Sequence, residues 1–332
     1  MSDVTQPSTS AVGSSSGSIA EHSSAVWTIG ADGSECAQHA AMWAVAHAPE
    51  RVGTIRIATA WNIPVMSAGA MTTASSVAWD ASAIGAAAEL QAEKTADRIR
   101  AALEDEPSPI TVDARAVEGA AASVLIDVAD GSDLLVLGSR GLGGFSRLVL
   151  GSTSTQCATH SPVATAIIPH DAPIPSTQHI VVAFDGSPNS MHALNWAIDF
   201  ADPATVIDCV TVWDITPIVV GSDQFFFPEA SDLARDRFDH LVDQVEREAA
   251  ERHPGTDLTP VQRHFVDGRP RAELARAAQR ADLLVMGARG HGAIGSAILG
   301  SVSTWLLHEV NRPMIIVPHH VEVDDSSRRS SA

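Results

Sequence analysis

The segment Leu134–Gly144 (LLVLGSRGLGG) returns as Leu283–Ala293 (LLVMGARGHGA), and Leu150–Thr155 (LGSTST) returns as Leu299–Thr304 (LGSVST). Leu134 answers to Leu283 and Leu150 to Leu299, the same offset of 149 residues in both cases. Each time an apolar run reads as a buried strand, a glycine-rich turn follows, and a helix begins after Gly-Ser. Earlier landmarks recur at slightly larger offsets: Asp32-Gly33-Ser34 as Asp185-Gly186-Ser187, Trp43-Ala44 as Trp196-Ala197, and Trp61 as Trp213. A solenoid unit repeats every ~20 to 50 residues, so a period this long marks a duplicated domain. The length agrees, since 332 residues at roughly 150 per domain make about two.

The second copy shows the internal order most clearly. His179–Phe184 reads as a buried first strand, Asn189–Ala201 as a helix and Val206–Val212 as a second strand. A helix over Ser231–Arg252 follows from apolar residues near helical spacing at Leu233, Phe238, Leu241, Val242 and Val245. Thr259–Phe265 reads as the third strand, Arg271–Ala281 as a helix, Leu283–Met286 as the fourth strand, and Ser301–Glu309 with Met314–Val317 as the last helix and strand. Strands alternating with helices predict an α/β fold with a parallel, doubly wound sheet of five strands in each copy. Such sheets bind ligands beyond the carboxyl ends of their strands. The expected organisation is a Ser-rich disordered tail over 1–24, one domain over 25–170, a Pro-bearing linker over 171–178, a second domain over 179–319 and a polar tail over 320–332.

Composition removes several functions. The net charge of −19 repels a phosphate backbone, so nucleic acid is not an expected partner. No apolar run approaches the ~20 residues of a membrane helix, and the first residues lack the basic start and apolar block of a secretory signal. Cys36, Cys157 and Cys209 are too widely spaced for a zinc knuckle or redox motif, so a reduced, cytoplasmic setting is expected. Lys94 is the only lysine, which excludes the P-loop and the strand lysine of a protein kinase. The histidines are scattered with no H-x3-H or H-E-x-x-H helix face, and no metal site is expected.

The glycine-rich turns carry the chemistry. Glycine lets backbone N–H groups approach a ligand without a Cβ in the way, and the helix that follows presents unpaired N–H groups and its positive dipole end to an anion. Ser301 or Ser303 is expected to cap that helix. Asp32 and Asp185, at the ends of the first strands, are expected to cap the next helices and to contact the ligand. Arg140 and Arg289 stand at equivalent loop positions where a guanidinium pairs with phosphate. The run Gly290-x-Gly292-x-x-Gly295 matches the dinucleotide fingerprint, but it follows the fourth strand, no acidic residue sits ~20 positions on, and Ser146 replaces the third glycine in the first copy.

The spacing Gly-x2-Gly-x9-Gly-Ser after a strand, paired with an early strand ending in Asp-Gly-Ser, resembles the universal stress protein family. Both copies carry it, the first as Gly138, Gly141, Gly151 and Ser152, and the resemblance covers about Ala25 to His319. It implies a Rossmann-like sheet of order 3-2-1-4-5 in each domain and, for the subgroup with this glycine pattern, ATP binding. By matching position it implies nucleoside contacts from Ala183 and Asp185, adenine beside Val212, and ribose and phosphates over Gly287, Gly290, Gly300, Ser301 and Val302. In the first copy the counterparts are Gly30, Asp32, Ala60, Gly138, Gly141, Gly151, Ser152 and Thr153. Ser139, Arg140, Gly143 and Gly144, with Ala288, Arg289, Gly292 and Ala293, complete the expected nucleotide-binding set. Ala183 stands where the family often has glycine, and Ala60 where valine is common, so the two sites are expected to differ in affinity.

The resemblance implies a tandem ATP-binding regulator of the stress response rather than a committed catalyst. ATP is the expected cofactor, with Mg2+ or Mn2+ neutralising its phosphates, and a protein partner is expected whose identity the sequence does not give. Slow ATP hydrolysis is the most catalysis expected. Domains of the family often pair through their last strands, so Val163–Ile168 and Met314–Val317 are expected to pair within one chain, covering exposed sheet edges; a homodimer stays open. Two rival readings remain: a nucleotide-free protein-interaction scaffold, in which Phe225-Phe226-Phe227 is the docking surface, and an adenylyl-transfer enzyme of the same α/β group. The second lacks an H-x-G-H segment and catalytic lysines. For the three phenylalanines, burial against the neighbouring domain is the plainer expectation.

Overall fold

The computed structural model describes residues 25–48, 52–63, 80–104, 110–142, 150–174, 177–214, 218–220, 223–225, 228–290 and 299–318. The first copy runs β1 (Ala25–Gly30), α1 (Glu35–His47), β2 (Val52–Trp61), α2 (Ala81–Ala102), β3 (Thr111–Glu118), α3 (Ala121–Ala129), β4 (Leu134–Gly138), α4 (Ser152–His160) and β5 (Ala164–Ile168). The second runs β6 (His179–Ala183), α5 (Pro188–Phe200), β7 (Val206–Trp213), β8 (Ile218–Val220), β9 (Asp223–Phe225), α6 (Pro228–Arg252), β10 (Val261–Asp267), α7 (Pro270–Ala278), β11 (Leu283–Gly287), α8 (Ser301–Glu309) and β12 (Met314–Val317).

All the long strands belong to one ten-stranded sheet of order β10-β7-β6-β11-β12-β5-β4-β1-β2-β3. Each half has the order 3-2-1-4-5 with parallel neighbours, and the halves mirror one another about the antiparallel pair β12–β5, where Ile315 faces Ala166 and Met314 faces Ile167. The last strands therefore pair within the chain. Side chains alternate across a strand, so one face of the sheet buries Ile29, Leu134, Val136, Ile180, Val285 and Ile315 under α1, α2, α5 and α6. The other buries Leu135, Leu137, Ile167, Val181, Leu284 and Ile316 under α3, α4, α7 and α8. Both cores run through the centre without a break at the boundary between copies. Trp27 of the first copy stacks on Trp43 of its own and on Phe200 of the second, each with ring centroids 6.4 Å apart.

Several element ends differ from the sequence expectation for local reasons. The third strand of the second copy starts at Val261 rather than Thr259, because Pro260 has no N–H for the ladder and the Thr259 hydroxyl donates to the Asp202 carbonyl instead (3.0 Å). Helix α7 ends at Ala278 rather than Ala281, since Arg280 and Ala281 bond three residues back in a tightened last turn. Helix α6 starts three residues early, at Pro228, and Leu233 in its first turns is 72% exposed, outside the apolar face that buries Phe238, Val242 and Val245. The hairpin β8–β9 was not expected. It places Phe225 at the end of a short strand; Phe226 and Phe227, and the side chain of Phe225, lie outside the described residues.

Burial pushes the thiol of Cys157 up to about 12 and that of Cys209 well above its ordinary value. A thiolate-directed reagent at pH 8 should leave both unmodified in the folded chain and modify both after denaturation, as read by mass spectrometry. Ile315 is fully buried at the central pair, so Ile315→Ala should lower the unfolding free energy by about 2–5 kcal/mol. Leu233→Ala should change it by no more than about 0.5 kcal/mol, both measured by urea unfolding.

Candidate functional site

In a 3-2-1-4-5 sheet the chain changes winding direction between the first and fourth strands, and the loops leaving those strands open a crevice there. In the second copy β6 lies in register beside β11, Ala183 opposite Met286, so Asp185 and the turn from Gly287 emerge side by side. In the first, β1 and β4 place Asp32 beside Gly138 in the same way.

The two loops lock together at one contact. Asp32 accepts from the N–H of Ser34 through Oδ1 (2.9 Å) and from the N–H of Leu142 through Oδ2 (3.0 Å), tying its own turn to the glycine-rich one. A Cβ on Gly141 would overlap that Oδ2, and a Cβ on Gly290 would overlap Asp185 Oδ2. Asp185 repeats the bond to its own turn, Oδ1 accepting from Ser187 N–H at 3.0 Å. The aspartates do not cap the next helices. Ser34 caps α1, accepting from Ala37 N–H, and Ser187 caps α5, accepting from Ser190 N–H.

The helices after the glycine turns begin differently. Gly151 and Gly300 occupy the N-cap positions, and no side chain caps either helix. Each cap is pinned to the strand end, Gly151 N–H donating to Ser139 O (2.7 Å) and Gly300 N–H to Ala288 O (2.9 Å). The expected cap from Ser301 or Ser303 is not formed. Ser303 Oγ donates to Gly287 O (3.1 Å), as Ser154 Oγ does to Gly138 O (2.8 Å), so each hydroxyl serves a strand-end carbonyl instead of a first-turn N–H. An uncapped first turn exposes N–H donors and the positive dipole end together.

Each crevice is a cavity, about 480 Å³ in the first copy and about 640 Å³ in the second, within the range of small-molecule sites, roughly 300–1,000 Å³. The first is lined by Gly30, Asp32, Ala60, Gly138, Arg140, Gly141, Gly151, Ser152 and Thr153 among the expected residues. The second is lined by Ala183, Asp185, Val212, Gly287, Arg289, Gly290, Gly300, Ser301 and Val302. Ser139 and Ala288 are buried behind the wall, their N–H groups donating to Ile168 O and Val317 O. Gly143, Gly144, Gly292 and Ala293 lie outside the described residues. Sequence reasoning missed the apolar wall: Leu125 and Leu137 in the first cavity, Leu274, Met286 and Phe184 in the second. The offset that pairs the glycines also pairs Leu125 with Leu274 and Leu137 with Met286, but nothing in the repeat sets these residues apart from the core.

The model of the universal stress protein family matches residues 28–169 and again 176–318. The chain belongs to this family, as a tandem of two domains. A universal stress protein of Mycobacterium bovis is 31% identical over 200 residues, covering 58% of this chain and 64% of that protein, so the match spans less than two thirds of that relative. One from Mycolicibacterium smegmatis is 29% identical over 221 residues, covering 63% of this chain and 69% of the relative. The crystal structure of a universal stress protein from Archaeoglobus fulgidus superposes with a TM-score of 0.61 at 20% identity, covering 89% of this chain and 98% of that one. Among the described residues of this universal stress protein, no helix is long and apolar enough to cross a membrane.

The Asp–Gly contact is testable by a double-mutant cycle. Gly290→Ala should destabilise the chain by about 1–3 kcal/mol through the overlap with Asp185. In an Asp185→Ala background the same change should cost less by at least about 0.5 kcal/mol, as measured by chemical unfolding.

Proposed function

We propose that each domain binds an adenine nucleotide, ATP, and that the protein acts as a nucleotide-dependent regulator in the stress response. The observation that carries this reading is the uncapped helix start opening onto a cavity, present in both copies. Four features of the cavities support it. The first-turn residues of α4 and α8, Ser152 with Thr153 and Ser301 with Val302, would offer N–H donors to the phosphates. Arg140 and Arg289 would supply charge at the rim. The apolar wall, with Ala60 or Val212 at the second strand end, would hold the base. Asp32 and Asp185, each fixed by bonds to its own turn, would meet the ribose.

ATP supplies a polyphosphate whose charge a divalent cation, Mg2+ or Mn2+, would partly neutralise. Among the described residues no three His, Cys, Asp or Glu side chains converge on a metal position; the cation would therefore enter with the nucleotide. The regulatory reading follows from where the phosphates would sit. The turns they would order begin at residues bonded to Ile168 and Val317, the ends of the strands that join the two domains, so occupancy would bias the surface shown to a protein partner.

Ser152 and Ser301 are exposed first-turn residues, where a carboxylate favours the helix by about 0.3–1 kcal/mol yet repels phosphate. Ser152→Glu/Ser301→Glu should therefore keep or raise stability while weakening ATP binding by about tenfold or more, an effect of ~1.4 kcal/mol per site. Calorimetric titration with Mg-ATP, alongside chromatography of nucleotide released on denaturation, checks this. Two sites per chain lost in the variant support the reading, and a wild-type chain that neither carries nor binds nucleotide sinks it.

A further inference from the structure

Arg140 lines the first cavity, and its guanidinium also reaches the chain leaving β5. Its Nη2 lies 3.4 Å from Nδ1 of His170. The same Nδ1 lies 3.5 Å from Oδ1 of Asp171, the next residue. The side chains of His170 and Asp171 are exposed, so the ring exchanges protons with solvent. Two further groups flank them. Asn311, between α8 and β12 of the second copy, meets the Asp171 carboxylate through its side chain. His39 on α1 spends its Nε2 on the Ala172 carbonyl (2.7 Å).

The two partners ask opposite things of one nitrogen. A guanidinium is a donor only and stays charged in proteins, so Nδ1 meets Arg140 as an acceptor and carries no proton. A carboxylate is an acceptor only, so Nδ1 meets Asp171 as a donor once it has gained one. The imidazolium formed by that proton also repels the guanidinium. Burial pushes the Asp171 carboxyl up, but the Asn311 side chain, the N–H of Asp171 itself and His170 together hold it below the ordinary carboxylate value. Asp171 is therefore ionised wherever an imidazole titrates, ~6.5 for an unperturbed ring.

The competition is written into the first copy. The offset of 149 residues that aligns the glycine turns sets His319 against His170 and His320 against Asp171. The second copy thus has no carboxylate at the position that draws the ring away from the arginine.

We propose that His170 gates Arg140: with Nδ1 bare it holds the guanidinium at the cavity rim, and on protonation it pairs with Asp171 and releases the guanidinium to a phosphate in the first cavity. The gate rests on nucleotide binding in that cavity and adds its regulation, tighter binding as the pH falls through the imidazole range.

The test uses the full chain carrying Ser301→Glu, so that the first cavity is the site being read. Mg-ATP is titrated by calorimetry between about pH 8 and about pH 5.5 at fixed ionic strength, with and without His170→Gln. A glutamine carbonyl accepts from Arg140 at every pH, so that variant holds the arginine throughout. Comparing the two chains at each pH cancels the protonation of the nucleotide itself. The affinity ratio should rise about two- to fivefold from the alkaline to the acid end, the worth of an exposed charge contact. The same pair of titrations in an Arg140→Gln background should show no such rise. A rise that persists there makes the imidazolium itself the phosphate contact and overturns the gate. Profiles that coincide with and without His170→Gln overturn it too, while leaving nucleotide binding intact. In the nucleotide-free chain, the Arg140 Nε–H signal should move with the His170 ring signal at one midpoint by NMR. An arginine signal that stays still while the ring titrates overturns the gate, and that result is independent of nucleotide. A first cavity that takes up no nucleotide at any pH overturns the nucleotide reading and the gate together.

Discussion

The antiparallel ladder between β5 and β12 organises everything else. A parallel five-stranded sheet has two open edges, each a row of unpaired N–H and C=O groups. Joining the two last strands converts two of the four edges in a tandem chain into interior pairs, and leaves β3 and β10 as the outer strands. Because Ile315, Ala166 and Ile168 lie on one face and Met314, Ile316 and Ile167 on the other, the ladder fuses the cores on both faces. The candidate sites inherit their footing from it. Ser139 N–H donates to Ile168 O, and Ala288 N–H to Val317 O. Each glycine turn therefore starts from a backbone bond to a strand of the central pair.

Within that footing, the glycines of one motif are required for three different reasons. Gly138 and Gly287 lack a Cβ because a helix passes there: the added atom would press on the backbone of Cys36 in α1 or of Asn189 in α5. Gly141 and Gly290 lack one so that the turn can rest on the aspartate carboxylate. Gly151 and Gly300 have looser surroundings, the nearest atoms lying 3.4 and 3.6 Å from an added Cβ, and their relevant property is the absence of a capping side chain. Serine at those positions would satisfy an N–H of the first turn and compete with any anion. A single spacing pattern thus combines packing, loop docking and an uncapped helix end.

Much of this was legible in the sequence because duplication tests each reading twice. Two strands of near-continuous apolar residues, Leu134–Leu137 and Leu283–Met286, could only be buried on both faces, and the glycine turns that follow them located the crevice. Helix caps were read less well. Ser303 and Ser154 are good capping residues by type, yet their hydroxyls serve the strand-end carbonyls of Gly287 and Gly138, a tertiary partner that local propensity does not encode. Asp32 and Asp185 were likewise read as caps, whereas a serine two residues on takes that role and frees the carboxylate for the opposite turn. The cavity walls, such as Leu125 with Leu137 and Leu274 with Met286, are ordinary core leucines and a methionine in the sequence. Only strand adjacency reveals that they face an opening.

Duplication also frees one copy from matching the other. The mirror arrangement gives both halves equivalent backbones, so differences between them are differences of side chain in a shared frame. At the aspartate turn, Ala31 in the first copy is Phe184 in the second, which packs on Phe238 with ring centroids 5.7 Å apart and lines a larger cavity. Beneath the helix that follows the third strand, Arg56 and Arg115 flank Asp113 in one half, whereas Asp208 lies between His179 and His264 in the other. Such a change at a core position needs neighbours that repack around it, as Phe238 does around Phe184, because an unfilled void costs stability. The cavity rim and the outer strands, where solvent meets the sheet, leave the two copies of one fold freest to differ in side chain.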